Sequence, residues 1–119
     1  LISVGAHGLI SVVANAFPTE ISMAVRSALK GDFQTAKENH YKLWDLMALS
    51  FADGNPGGVK CMMAEIGLIE NILRLPLAPV KKEVADRIAV AVGKIEFLTF
   101  LGQFSVRSTS REFIYNCQL

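Results

Sequence analysis

The strongest constraint on the fold is a short apolar run near the start of the chain. Leu9–Ala14 is apolar except for one serine, and three of its six residues are β-branched. This pattern is typical of a strand that is buried on both faces, as in parallel sheets. A lone strand cannot satisfy its own backbone groups, and burying them unpaired costs several kcal/mol in all. We therefore expect Leu9–Ala14 to pair with strands outside this chain segment.

Almost everything downstream predicts helix, so the expected fold class is mostly α with one N-terminal β-strand. Pro18 suits a first helical turn, Gly31 suits a C-terminal cap and Asp32 suits an N-terminal cap. The segment 68–79 holds two prolines and is predicted to be a loop. The four predicted helices run from Pro18 to Lys30, from about Phe33 to Phe51, from Pro56 to a stop at Gly67, and from Val80 to about Val92.

Composition limits the class of protein. The 119 residues suffice for one domain with a real core. Hydrophobic residues make up 51% and charged residues only 19%, which suggests surfaces that meet subunits or missing chain. The net charge of +1 implies neither nucleic acid nor an anionic membrane as a partner. No apolar run reaches the roughly 18 residues of a membrane span.

The cysteines and the ends of the chain carry further expectations. Cys61 and Cys117 match no metal-ligand spacing, which favours a reduced, cytoplasmic protein without a metal site. The chain begins inside an apolar segment and without methionine, which we interpret as a sign of truncation. Residues 96–119 lose helical periodicity. They are compatible with a poorly packed helix, a stray strand or sequence foreign to the domain.

Three blocks in order carry a resemblance to a known family. They are "GAHGLISVVAN" from Gly5, "DGNPGGVK" from Asp53 to Lys60 and "LRLPLAPV" from Leu73 to Val80. Their sequence and spacing resemble the C-terminal part of the dihydrodipicolinate synthase / N-acetylneuraminate lyase family, and the synthase branch fits better. The resemblance implies a (β/α)₈ barrel of around 250 residues followed by a helical domain. It assigns residues 1–31 to the last barrel strand and its helix, 32–95 to the helical C-terminal domain, and leaves 96–119 unassigned.

The resemblance also implies the chemistry of the parent protein. Such lyases form a Schiff base between a barrel lysine and pyruvate, and the synthases condense it with aspartate semialdehyde in the diaminopimelate route to lysine. It implies no cofactor, a cytoplasmic location and a homo-oligomer, usually a tetramer. The nucleophilic lysine and the proton-relaying tyrosine lie on earlier strands, so no catalytic residue is expected in this segment. We expect the chain alone to be inactive.

Two residues are the predicted contribution to a substrate site. By resemblance, Ile10 matches an eighth-strand isoleucine whose backbone faces the carboxyl end of pyruvate. Gly8 would allow chain and ligand to approach closely, or simply marks the entry to the strand. Asn15 is expected to satisfy its own turn, and Asp53 to form a turn rather than a cation site. Lys60 is expected to be solvated or at an interface.

The remaining candidates favour structural roles. By resemblance, His7 precedes the strand at the stability end of the barrel, where no metal or catalytic role is expected. His40 has no partner at ligand spacing and is predicted at the surface. Trp44 and the methionines at helical spacing are predicted to pack in the core or between helices.

An alternative from another class is a small helical interaction or oligomerisation module without catalysis. The apolar strand argues against it, since a helical module has no use for a lone strand. If the chain is ordered throughout, that strand must be covered by another copy, by the tail or by its own helices.

Overall fold

A computed structural model describes residues 1–95 and 97, and these residues form a helical fold. Two 3₁₀ turns, Ile2–Val4 and Val13–Asn15, precede the first α-helix. The α-helices are α1 at Pro18–Leu29, α2 at Phe33–Lys42, α3 at Trp44–Leu49, α4 at Gly57–Glu65 and α5 at 82–95. The part of the sequence assigned to an unexplained tail, 96–119, lies outside the described residues apart from residue 97.

The predicted strand at Leu9–Ala14 is not present. Residues 6–11 have no regular secondary structure, and the described residues contain no strand at all. The chain instead turns at Val13–Asn15, where the amides of Ala16 and Phe17 both donate to the carbonyl of Val13, at 3.0 and 2.9 Å. A strand exists only as part of a ladder, and nothing in the described chain offers Leu9–Ala14 a neighbouring strand.

The local signals for helix ends are confirmed. Pro18 opens α1, and Gly31 follows its end in the left-handed region at φ +83°. The Asp32 carboxylate accepts a hydrogen bond of 3.0 Å from the amide of Thr35 and so caps α2. Gly67, predicted to stop the third helix, adopts φ +74° two residues after α4 ends. The proline-containing segment 68–79 is a loop, as predicted.

The predicted long second helix is wrong in one respect, because it is broken at Leu43. The amide of Leu43 donates to the His40 carbonyl at 3.1 Å, a tighter turn than in an α-helix, and α3 starts at the next residue. Leu43 is fully buried, whereas Phe33 and Phe51, at the two ends of the predicted helix, are exposed. The break directs a different set of side chains into the core than a continuous helix would.

One hydrophobic core joins the N-terminal turn to α5. It is built mainly from aliphatic side chains, and Val84, Ile88 and Ala91 of α5 lie within it. Fully buried members include Leu43, Leu46, Met62 and Ile88. The division of the chain at residue 31 stays a prediction. In residues 1–95 and 97, no helix is long and apolar enough to cross a membrane.

Candidate functional site

The two predicted substrate-site residues lie on the exposed side of the N-terminal segment. Ile10 is as exposed as in an isolated peptide, with a relative accessibility of 103%. A Cβ added at Gly8 would meet no atom within 4 Å. Their predicted roles toward a ligand, through the backbone of Ile10 and the small size of Gly8, stay predictions.

The polar neighbours of this segment satisfy local backbone groups. The Asn15 side-chain amide donates to the carbonyl of Val12 at 2.9 Å, so it closes its own turn as expected. His7 is exposed. No group of three or more histidine, cysteine, aspartate or glutamate side chains in the described part of the chain is placed to hold a metal ion.

A second region of interest is the loop junction, formed by the turn at residues 53–57 and the loop at residues 76–81. Two of the three sequence blocks meet here and line an open cleft of about 430 Å³. Both segments contain a cis proline bond, at Asn55–Pro56 and Leu75–Pro76.

Asp53 ties the two sides of the loop junction together. Its Oδ2 accepts a hydrogen bond of 2.9 Å from the backbone amide of Lys81, the residue just before α5, and its Oδ1 lies 3.7 Å from the Lys81 Nζ. The Asp53 side chain is 19% exposed, whereas that of Lys81 is 84% exposed. The carboxylate therefore holds the start of α5 through the amide more than through the ammonium.

Sequence reasoning placed Asp53 in its turn but missed this contact. The two partners are 28 residues apart, and no local pattern links them. One sequence signal could have pointed to it: Asp53 begins one of the family-like blocks, and Lys81 directly follows another.

The glycines of "DGNPGGVK" allow close packing. A Cβ on Gly58 would lie 2.7 Å from the carbonyl oxygens of both Leu49 and Ser50. A Cβ on Gly57 would lie 3.2 Å from Val80. The start of α4 thus lies against the end of α3 on one side and the loop junction on the other, and the motif has a structural reason to contain glycine there.

Lys60 is not arranged as a nucleophile. Its Nζ donates a hydrogen bond to the carbonyl of Ile72, which ties α4 to the loop that follows it. A Schiff-base lysine needs a free, neutral amine. Cys61 is a buried free thiol, and burial, reinforced by the charge of Glu65, raises its pKa, so it is not a reactive thiolate either.

An aromatic cluster lies at the bend between α2 and α3. The rings of His40, Tyr41 and Trp44 have centroids 5.3 to 5.9 Å apart. Trp44 is 55% exposed, so of its two predicted places the core is wrong, and its ring instead contacts His40 and Tyr41 at this bend. His40 is half-buried rather than fully at the surface. Of the methionines predicted to pack, Met62 is fully buried, and Met47 and Met63 pack against the core.

Comparison with known proteins identifies the family to which the sequence is similar. The model of the dihydrodipicolinate synthetase family matches residues 1–95. The chain is 47% identical over 96 residues to the 4-hydroxy-tetrahydrodipicolinate synthase of Phocaeicola vulgatus, which covers 81% of this chain and 32% of that protein. It is 48% identical over 88 residues to the synthase of Parabacteroides distasonis, and this match covers 74% of this chain and 30% of that protein.

Solved structures agree with the sequence comparison. The dihydrodipicolinate synthase of Aquifex aeolicus superposes with a TM-score of 0.74 at 37% identity, and that of Thermotoga maritima with 0.76 at 32%. Each match covers 80% of this chain and 32% of the solved one. The chain therefore spans about a third of the length of the relatives it matches. Over residues 1–95, this chain belongs to the dihydrodipicolinate synthetase family.

Proposed function

We propose that the chain is the C-terminal part of a pyruvate-dependent Schiff-base lyase, of the 4-hydroxy-tetrahydrodipicolinate synthase type. The parent protein would condense pyruvate with aspartate semialdehyde in the diaminopimelate route to lysine, as a cytoplasmic homo-oligomer without a cofactor. The observation that carries this proposal is the family match across residues 1–95, with relatives named as that synthase at up to 48% identity.

The covalent step of such a lyase is not assigned to this chain. The amine of a lysine adds to the ketone carbon of pyruvate, and loss of water leaves the imine, so the amine must be neutral and the pocket must exclude water. Lys60 lies in one of the three blocks that resemble the family, and its Nζ donates a hydrogen bond to the carbonyl of Ile72. In the proposal the nucleophile belongs to the two thirds of the parent that this chain does not match, and the chain alone is inactive.

The chain would contribute a wall of the substrate site. Active sites of (β/α)₈ barrels lie at the carboxyl ends of their strands. In the proposal, residues 9–14 form a barrel strand in the parent, and the Ile10 backbone and Gly8 face the carboxyl end of pyruvate. The exposed apolar side chain of Ile10 supports this, since 103% exposure leaves it free for a neighbouring part of the barrel to cover.

A helical interaction or oligomerisation module without catalysis is the second candidate. The exposed aromatic surface of Tyr41 and Trp44 favours it, since such side chains are enriched where proteins meet. The two candidates differ in whether residues 1–95 can replace the corresponding part of an active synthase.

A graft tests the proposal. The segment of the Phocaeicola vulgatus synthase that matches this chain is replaced by residues 1–95, and the condensation of pyruvate with aspartate semialdehyde is assayed. We expect a soluble graft with synthase activity. The matched control is the same synthase with that segment deleted, which we expect to be inactive. A soluble, folded graft with no more activity than the deletion control would contradict the proposal and favour the interaction module.

A further inference from the structure

Asp53 is followed directly by a glycine, and such a pair can rearrange chemically without any enzyme. The backbone nitrogen of Gly54 can attack the side-chain carboxyl carbon of Asp53, because glycine has no side chain that hinders the approach. The other three aspartates, Asp32, Asp45 and Asp86, precede phenylalanine, leucine and arginine, and no asparagine in the 119 residues precedes a glycine. The pair Asp53–Gly54 is therefore the position in the sequence most prone to this reaction.

The rearrangement has two steps and needs only water. First, a bond forms between the Gly54 nitrogen and Cγ of Asp53, and the hydroxyl of the protonated carboxyl leaves with the amide proton as water. The product is a five-membered cyclic imide. Water then opens the imide at either carbonyl. One opening restores aspartate, and the other leaves isoaspartate, in which the main chain passes through the former side chain.

The structure gives a reason for each member of the pair. Gly54 adopts φ +92°, in the left-handed region that favours glycine. The residue before it supplies a carboxylate, since Oδ2 of Asp53 accepts the 2.9 Å hydrogen bond from the Lys81 amide at the start of α5. Two structural needs are thus met by neighbouring residues, and together they create the reactive pair.

The same contacts hold both reacting groups away from the reaction. The Gly54 amide, whose nitrogen is the nucleophile, donates to the carbonyl of Phe51 at 3.1 Å. The carboxyl of Asp53, whose carbon is attacked, is held by the Lys81 amide, and the side chain is only 19% exposed. Attack requires the Gly54 nitrogen to lose its proton and the carboxyl to turn away from Lys81, so both hydrogen bonds must break first.

We propose that Asp53–Gly54 is an isoaspartate-forming site that the loop junction keeps unreactive until the start of α5 releases Asp53. Rearrangement lengthens the main chain by one carbon and attaches the free carboxylate directly to Cα. The carboxylate then no longer lies where it accepts from the Lys81 amide, so each rearranged chain loses the tie between the turn and α5. The inference does not rest on the proposed function, since it uses only contacts within the loop junction.

Incubation of the 119-residue chain in buffer and in guanidinium chloride, at one temperature and pH, tests the proposal. Peptide mapping measures isoaspartate at residue 53, because the isoaspartyl peptide elutes apart from the aspartyl peptide at the same mass. It also accepts a methyl group from an isoaspartyl methyltransferase. We expect isoaspartate to form more slowly in buffer by about tenfold or more, because the reaction must wait for the loop junction to open.

Two pairs of variants locate the effect. In guanidinium chloride, Asp53→Glu should lower the methyl acceptance of the whole chain, since glutamate would need a larger ring, whereas Asp86→Glu should leave it unchanged. In buffer, Lys81→Pro removes the amide that holds Asp53 and should speed the reaction severalfold, whereas Lys81→Met keeps that amide and should leave the rate unchanged. Far-UV circular dichroism checks that the Lys81 variants keep the helical content of the parent chain.

Hydrogen exchange of the Lys81 amide gives a readout that needs no variant. As guanidinium chloride is added in small steps, this exchange and the formation of isoaspartate at residue 53 should accelerate together. This comparison decides the proposal even if Lys81→Pro fails to fold.

Three results would overturn the proposal. The first is an equal rate of isoaspartate formation in buffer and in guanidinium chloride. The second is the absence of isoaspartate at residue 53 in guanidinium chloride. The third is a Lys81 amide whose exchange accelerates with denaturant while the rearrangement in the same samples does not.

Discussion

Gly58 allows the most quantitative prediction, because the space around it is defined by backbone. In Gly58→Ala the new Cβ would lie 2.7 Å from the carbonyl oxygens of Leu49 and Ser50 and 2.9 Å from the Ser50 carbonyl carbon. Real Cβ atoms do not come so close, and no flexible side chain can move aside to relieve the contact. The end of α3 or the start of α4 must shift instead.

Two opposing effects set the magnitude. Overpacking of this kind costs about 1–3 kcal/mol. Alanine has a higher helix propensity than glycine, which returns up to about 1 kcal/mol and less in a first turn. We therefore expect Gly58→Ala to lower the free energy of unfolding by about 1–2 kcal/mol. For a chain of this size, that lowers Tm by roughly 3–10 °C.

Gly93→Ala is the matched control. Gly93 lies inside α5, and an added Cβ there would meet nothing within 4 Å. Only the higher helix propensity of alanine remains, so we expect this variant to raise the free energy of unfolding by about 0.5–1 kcal/mol. Urea unfolding followed by circular dichroism measures both variants, at one protein concentration because association shifts the midpoint. If Gly58→Ala were as stabilising as Gly93→Ala, the close approach of α3 and α4 would be refuted.

Two further predictions concern carboxylates that hold helix ends. Asp53→Ala removes the acceptor for the Lys81 amide and should lower the free energy of unfolding by about 1–2 kcal/mol. Lys81→Met keeps that amide and should lower it by less than about 1 kcal/mol. Urea unfolding measures both. Equal losses in the two variants would show that the exposed ion pair matters more than the amide. For Asp32, hydrogen bonding from the side chain and amide of Thr35 lowers the pKa of the carboxyl below its usual 3.8. Because the pKa is lower in the folded state, the ionised carboxylate stabilises the fold at pH values above the unfolded-state pKa, and this stabilisation is lost as the pH falls through the folded-state pKa. Asp32→Ala should therefore lower Tm near neutral pH and have little effect well below pH 3.8. A loss in Tm that is the same at both pH values would contradict the capping role.

The sequence predicted best what depends on neighbouring residues. Pro18, Gly31 and Asp32 mark helix ends through their own backbone and side-chain chemistry, and the structure confirms all three. The family resemblance was carried by three short blocks, and the family match confirms it. In both cases the information lay within a few residues.

What could not be predicted depends on distant or missing partners. The strand at Leu9–Ala14 was inferred from composition, but a strand forms only where a neighbour supplies its hydrogen bonds, and the described residues supply none. The contact between Asp53 and Lys81 joins two loops, and no periodicity reveals it. The bend at Leu43 follows from the burial of that side chain in a core shared with distant helices.

The central claim is that this chain is one part of a Schiff-base lyase whose reactive lysine lies in another part. Intact-mass measurement after treatment with pyruvate and borohydride tests it most directly, because borohydride reduces the imine to a stable amine. The account predicts an unchanged mass for the 119-residue chain, and for the graft in the Phocaeicola vulgatus synthase a gain of one pyruvate plus two hydrogens minus one water. The same gain on the 119-residue chain alone, mapped to one of its lysines, would contradict the claim.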